Sequence, residues 1–272
     1  MSRAGRYLGA LWLAVVVTLL YLPILSVALA SLANTRYMRF PHRDWSLGAY
    51  ADALSQHETL TLHLTSLKVA LAVTVLSVLL ATLGAMAFAR YEWKGRGLFQ
   101  KAVVLPIFFP QPVLGLALLL FLTAIGQTPS WQTAVFAHMV WIMPIVTLVI
   151  SIRLFGYDPI QEEAARDLGA SRLQVLREVT LPYLAPGLVS GGLFAFLLSW
   201  SNLPLSVFTT GADTTLPEWL FSRVATNYSP VVPAVAVIAT LASVVLVIGV
   251  IAGMRLVRAS RTAGEGGARP VG

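Results

Sequence analysis

The sequence has no cysteine. That removes disulfides and thiolate metal sites from consideration and leaves the compartment open. Charge is scarce as well: 11% of the 272 residues are Asp, Glu, Lys or Arg, where a soluble domain carries roughly 25%. A GxxxxGK[ST] phosphate loop, an HExxH and a GxSxG are all missing, so the chain shows no machinery of its own for hydrolysing ATP, holding a catalytic zinc or forming an acyl intermediate. Strand-like alternation is also missing from the apolar stretches, which weighs against a membrane barrel, whose strands of about ten residues need period two.

In place of these stand long apolar runs, in a chain that is 57% hydrophobic. Crossing a hydrocarbon core takes about 20 apolar residues. Six segments approach or exceed that length, at 8–32, 62–89, 102–125, 132–152, 184–208 and 231–254, and helices are the way to satisfy their backbones in lipid. The expected fold is an all-α membrane protein of six transmembrane helices, forming a single transmembrane domain over 1–272. Arg3 and Arg6 before the first run, and Ala28-Leu29-Ala30 near its end, have the look of a cleaved secretory signal. The run is too long for a signal core of about 7 to 15 residues, and an uncleaved first span is expected.

Lys and Arg set the orientation, because short cytoplasmic loops retain them. Placing both termini inside puts most of the nineteen Lys and Arg in the cytoplasm and leaves Arg36, Arg39, Arg43 and Arg223 outside, with Lys68 within a span. Topology and attraction to anionic lipid then account for the net charge of +7 without nucleic acid.

With that orientation the stretch EEAARDLGASRLQVLREVTLP, residues 162–182, lies in a cytoplasmic loop spanning 154–183 between spans four and five. Its pattern predicts two short helices meeting at a corner. Asp158 caps the first, Pro159 takes its first position and Gln161 stands three after the cap. Gly169 closes that helix in the left-handed conformation. Ser171 caps the second with Gln174 in a capping box, and Pro182 is expected to stop it before span five. Ile160, Ala164, Ala165 and Leu168 form a narrow apolar face on the first helix, and Leu173, Leu176 and Thr180 repeat at three to four on the second. Periodicity alone fits a docking element and an amphipathic loop lying on lipid headgroups equally well.

The residues themselves narrow the choice. Glu163-Ala164-Ala165, three residues, Gly169, nine residues, the aliphatic Val179, one residue, then Leu181-Pro182 resemble the EAA signature of the membrane subunits of ABC importers. The resemblance implies the type I importer permease fold, a non-enzymatic subunit of a bacterial inner-membrane importer. In that family the loop is a coupling helix seated in a cleft of a cytoplasmic ATPase. Carried over by position, Glu163, Ala164, Ala165 and Gly169 form the contact, and Leu181 and Pro182 define the return into span five. It further implies two ATPase subunits that hold ATP and Mg, a second and similar membrane subunit in a heterodimeric pairing embraced by span one, and an external solute-binding protein. Alternating access would drive transport. An ATP-independent secondary carrier or channel is the alternative; it predicts ionisable groups deep in the spans or inverted repeats.

Within importers the chain is most similar to the second membrane subunit of the spermidine/putrescine group. Tyr21-Leu22-Pro23-Ile24, Ala89-Arg90-Tyr91, Phe208-Thr209-Thr210-Gly211 and Leu216-Pro217 carry that likeness. A polyamine is therefore the favoured solute; ferric iron, thiamine, a phosphonate or another small organic solute are alternatives. No Asp or Glu lies in the six spans, and Trp200-Ser201-Asn202 stands where polyamine subunits carry acids. Trp200 and Asn202 are the pathway candidates, because an indole can stack on a cation and an amide within a span needs a partner. Interfacial anchoring by Trp200 and interhelix bonding by Asn202 explain the same residues.

Four further expectations concern single features. Lys68 snorkels from near the start of span two. His63 and His138 have no second ligand at metal spacing. Pro106, Pro110 and Pro112 force span three to kink or unwind. Residues 211–230 form a partly helical outer element, which together with the loop from Asn34 to Glu58 offers a surface to a binding protein, and the tail over 259–272 is flexible.

Overall fold

Apolar runs must satisfy their backbones internally, and these runs fold mainly as helix. The computed structural model describes residues 3–33, 44–226 and 228–266. In chain order the helices are α1 (Arg3–Ser31), α2 (Gly48–Ser55), α3 (His57–Arg90), α4 (Arg96–Val104, continued by a 3-10 turn at Leu105–Phe108), α5 (Gln111–Ala124), α6 (Trp131–Phe155), α7 (Ile160–Asp167), α8 (Arg172–Val175, continued by a π turn at Leu176–Thr180), α9 (Leu181–Trp200), α10 (Ser206–Thr209), α11 (Leu216–Thr226) and α12 (Val231–Gly266). Among the described residues the only β pairing is an isolated bridge between Ala33 and Trp45. Five helical stretches are long and apolar enough to cross a bilayer, and α4 with α5 makes a sixth when the pair is taken as one span.

Span three breaks as its prolines predict, and three other boundaries differ from those expected. Span three is broken, with its halves bent by 108°, because Pro110 and Pro112 donate no backbone N–H and Phe109, which precedes a proline, is held extended at ψ 134°. Span five begins in the loop: Arg172–Trp200 runs as one long helix, so Pro182 does not stop the second loop helix. The π turn just before it absorbs the missing N–H by shifting the hydrogen-bond register. The same span ends at Trp200 rather than 208, and the chain turns back into α10. At the other terminus α12 continues to Gly266, into the stretch expected to be flexible, since Arg and Ala propagate a helix readily; residues 267–272 lie outside those described.

The chain divides into two compact units, Met1–Leu60 with Leu220–Gly272, and Thr61–Trp219. In the first, α1 and α2 both pack on α12. The Ser31 and Tyr50 hydroxyls lie 2.6 Å apart, and Arg223 pairs with Glu58 at 3.2 Å. Most of α1 is exposed, Trp12 and Tyr7 included. Residues 34–43 of the expected outer loop are outside the described residues.

The second unit is built on the α6/α9 contact. Gly187 and Gly191 stand one turn apart on α9, where a Cβ on Gly187 would meet Arg153 Cγ at 2.8 Å and one on Gly191 would meet Val146 Cγ1 at 3.1 Å. Small residues at this spacing let two backbones approach, as in membrane helix pairs generally. Ile142, Val146 and Ile150 of α6, Leu184 and Ala195 of α9, and Val69, Val73, Ala81, Ala85 and Phe88 of α3 complete a dry core.

Candidate functional site

The corner between α6 and α9 is held by local chemistry that the sequence announces. Asp158 Oδ1 accepts from the Ile160 N–H at 3.0 Å, so the expected cap on α7 forms. Gly169 closes α7 with φ +90°. Its N–H donates to Arg166 O at 2.8 Å while the Ala170 N–H donates to Ala165 O at 3.1 Å, the paired bonds of a Schellman ending. Ser171 then opens α8: its Oγ accepts from the Gln174 N–H at 3.3 Å, and Gln174 Oε1 accepts from the Ser171 N–H at 2.8 Å.

These caps fix which side of α7 faces out. Glu163, Ala164 and Gly169 are exposed, Ala165 is half-buried, and the apolar side chains Ile160 and Leu168 stand free, the latter 90% exposed. Ile160, Ala164 and Leu168 therefore form an open apolar ridge flanked by Glu163. Leu181 and Pro182 are half-buried in the first turn of α9, away from that ridge.

The inward side of α7 rests on a residue that the motif does not include. Glu162 Oε1 takes a salt bridge from Arg90 Nη2 at 2.7 Å, and its Oε2 lies 3.5 Å from Arg166 Nη2. Thr180 Oγ1, at the end of the π turn, donates to Oε1 as well. The Arg90 guanidinium sits 4.9 Å from the Tyr157 ring centroid; that ring packs on Tyr183, whose hydroxyl donates to Gly156 O at 2.8 Å. One signal in the sequence could have found it, the i,i+4 spacing of Glu162 and Arg166. The partners Arg90 and Thr180 come from distant segments.

Burial alone would raise the Glu162 pKa, but the hydrogen bond from Thr180 and then the bond and charge of Arg90 outweigh it and hold the carboxyl below its ordinary value. A carboxylate whose pKa is lower folded than unfolded adds stability above its unfolded pKa of about 4.3, and that contribution is lost as pH falls through the folded value. Amide-exchange protection of α7 is expected to stay level from about pH 8 to pH 5 and to drop only in stronger acid. A fall already visible between pH 7 and pH 5 would contradict this pairing.

At the other end of α9 the two pathway candidates part company. Trp200 is half-buried, stacked on Phe196 at 5.7 Å and tilted against His63 at 6.4 Å. Asn202 is buried, and its Oδ1 accepts from the Leu205 N–H at 3.0 Å, fixing the turn into α10. Ser206 Oγ donates to Asn202 O at 2.7 Å. It therefore accepts from His138 Nε2 at 3.0 Å, which leaves Nδ1 to accept from Ser199 Oγ at 2.9 Å. Both nitrogens of His138 are thus engaged with serines. Lys68 lies further into its helix than expected, because α3 begins at His57, and its Nζ sits 4.1 Å from the Trp131 ring centroid in a cation–π contact.

A family model described as "Binding-protein-dependent transport system inner membrane component" matches residues 74–261. The putrescine transport system permease protein PotI of Escherichia coli is 32% identical over 227 residues, 80% of each chain. PotC of Haemophilus influenzae, a spermidine/putrescine transport system permease protein, is 30% identical over 87% of this chain and 91% of its own. Among solved structures, a bacterial ABC transporter involved in the import of the acidic polysaccharide alginate superposes with a TM-score of 0.69 at 20% identity, covering 93% of this chain and 98% of that one. The MetNI methionine ABC transporter superposes at 0.56 over 75% of this chain and 98% of its own. With the EAA pattern folded into a capped corner and the family model spanning most of the chain, this protein belongs to the inner-membrane permeases of binding-protein-dependent ABC transport systems.

Proposed function

We propose that this chain is the permease subunit of an ATP-driven importer that passes a polyamine from an external binding protein to the cytoplasm. The observation that carries the reading is the outward ridge on α7: an apolar Ile160, Ala164 and Leu168 beside Glu163, on a helix locked at both ends by caps. A loop meant for the headgroup region needs no such rigid corner. A helix that receives force from a motor does.

In this reading both termini and α7 are cytoplasmic, as the Lys and Arg distribution favours. Glu163, Ala164, Ala165 and Gly169 contact one of two ATPase subunits that bind ATP and Mg. Leu181 and Pro182 carry displacement into α9. A second, similar membrane subunit completes the pathway. The likeness to putrescine and spermidine/putrescine permeases supports a polyamine. Trp200 offers the stacking face, and Asn202 acts indirectly by holding the turn beside it.

Gly169→Pro removes both the positive φ and an N–H that closes α7; Glu163→Arg reverses the charge of the ridge. Each is expected to reduce copurification of the ATPase and ATP-driven putrescine uptake in proteoliposomes by about tenfold, a loss of ~1.4 kcal/mol of association. Undiminished association and uptake in both variants would refute the docking role.

A further inference from the structure

We propose that Glu162 is a positioning residue that ties α3 to the coupling helix, so that span two moves with α7. This rests on the reading of α7 as the ATPase-docking helix. The chain itself passes a displacement of α7 into two spans only, α6 through residues 156–159 and α9 through residues 168–180. α3 has no such connection. Its last residue, Arg90, reaches α7 through the 2.7 Å bond to Glu162, and the same carboxylate oxygen holds Thr180 at the foot of α9.

Two features around this carboxylate make it a mechanical joint rather than a surface ion pair. First, α3 and α9 meet only in part, as at Thr74, Val78 and Gly192. An apolar cavity of about 690 Å³, lined among others by Thr74, Val78, Met86, Leu181, Leu188 and Gly192, lies along them. The polar clamp adds to the packing of Ala85 and Phe88 in holding the end of α3. Second, Thr180 ends a π turn, an irregularity rare in proteins and frequent at functional sites and at helix kinks. Glu162 fastens α7 to the point at which span five can bend and to the end of span two at once. The Glu162 side chain is only 12% exposed and that of Arg90 21%, so removing one charge strands the other in a poorly solvated place.

The test uses the whole transporter in nanodiscs, with its ATPase, second membrane subunit and binding protein. This chain has no cysteine, so with any cysteines of the partner subunits replaced, spin labels go only to Glu92→Cys and Asp167→Cys, both exposed positions. With Glu162 present, the distance distribution between the labels is expected to keep its width with and without ATP. In Glu162→Gln it should broaden, with the ATPase still copurifying at the unaltered level. Labelled putrescine imported per ATP hydrolysed should fall about tenfold in Glu162→Gln and in Arg90→Gln, and the double variant should be no worse than either, as for partners in one interaction. An unchanged distance distribution in Glu162→Gln, or losses that multiply in the double variant, would overturn the proposal. Should Glu162→Gln fail to assemble, Arg90→Gln gives the same reading from the other side of the pair. Failure of the unaltered chain to recruit the ATPase would instead sink the docking role of α7, and the two failures are thereby distinguished.

Discussion

Gly211→Val is expected to lower the unfolding temperature of the detergent-solubilised protein by about 10 °C, on an estimated loss of ~4 kcal/mol. Two independent costs add here. Gly211 has φ +62°, a region that costs a side-chain-bearing residue about 1–2 kcal/mol and a β-branched one more. A Cβ would also run into the Pro129 carbonyl, and forcing atoms into a packed site costs about 1–3 kcal/mol. The damage spreads because this turn clasps the start of α6. Thr209 O accepts from the Ser130 N–H at 3.1 Å and Thr133 Oγ1 at 2.7 Å, Asp213 Oδ2 accepts from the Trp131 N–H at 2.9 Å, and Glu218 accepts from Thr210 and Thr215. Gly126→Ala is the control: φ is +78° with nothing within 4 Å of a Cβ, so only the backbone cost of about 1 kcal/mol applies. Intrinsic tryptophan fluorescence during heating measures both. Equal shifts for the two variants would refute the close approach at Pro129.

Gly191→Leu is expected to be the most damaging change inside the spans, lowering folded yield severely and destabilising by about 3 kcal/mol or more. Its first added carbon would already lie 3.1 Å from Val146 Cγ1 and 3.4 Å from Ile150 Cγ1, and three further heavy atoms have no space between α6 and α9. The neighbouring glycine separates this from a general intolerance of side chains on α9. A Cβ on Gly192 meets Thr74 and Val78 at an ordinary 3.6 Å, and Gly192→Ala should be neutral or slightly stabilising, since alanine favours helix by about 1 kcal/mol over glycine. Size-exclusion profiles and thermal unfolding compare the two. If Gly192→Ala proves as harmful as Gly191→Leu, the α6/α9 seam does not depend on the small residues at 187 and 191.

The corner at α7 shows how far sequence reaches. Asp158, Gly169, Ser171 and Gln174 all do what their spacing predicts, because caps are made between residues two to five apart and the chain holds their partners close in any case. The same local logic at Pro182 gives the opposite result. A proline ends a helix only where the freed carbonyls find no other arrangement, and here the π turn accommodates them, so α8 and α9 form one span. Asn202 and His138 follow that pattern. An amide within a span needs a partner and no metal site is expected at His138, but which groups the two meet depends on α10 folding back after Trp200.

By itself the sequence determined the helical membrane fold, the approximate spans, the capped corner and the permease family, because each depends on apolar length, local capping or a motif of fixed spacing. Tertiary structure alone decided that Glu162 joins Arg90 and Thr180, that span three turns through 108°, and that Gly187 and Gly191 face α6. Those pairings join residues far apart in the chain, and only the packing of whole helices brings such side chains within bonding distance.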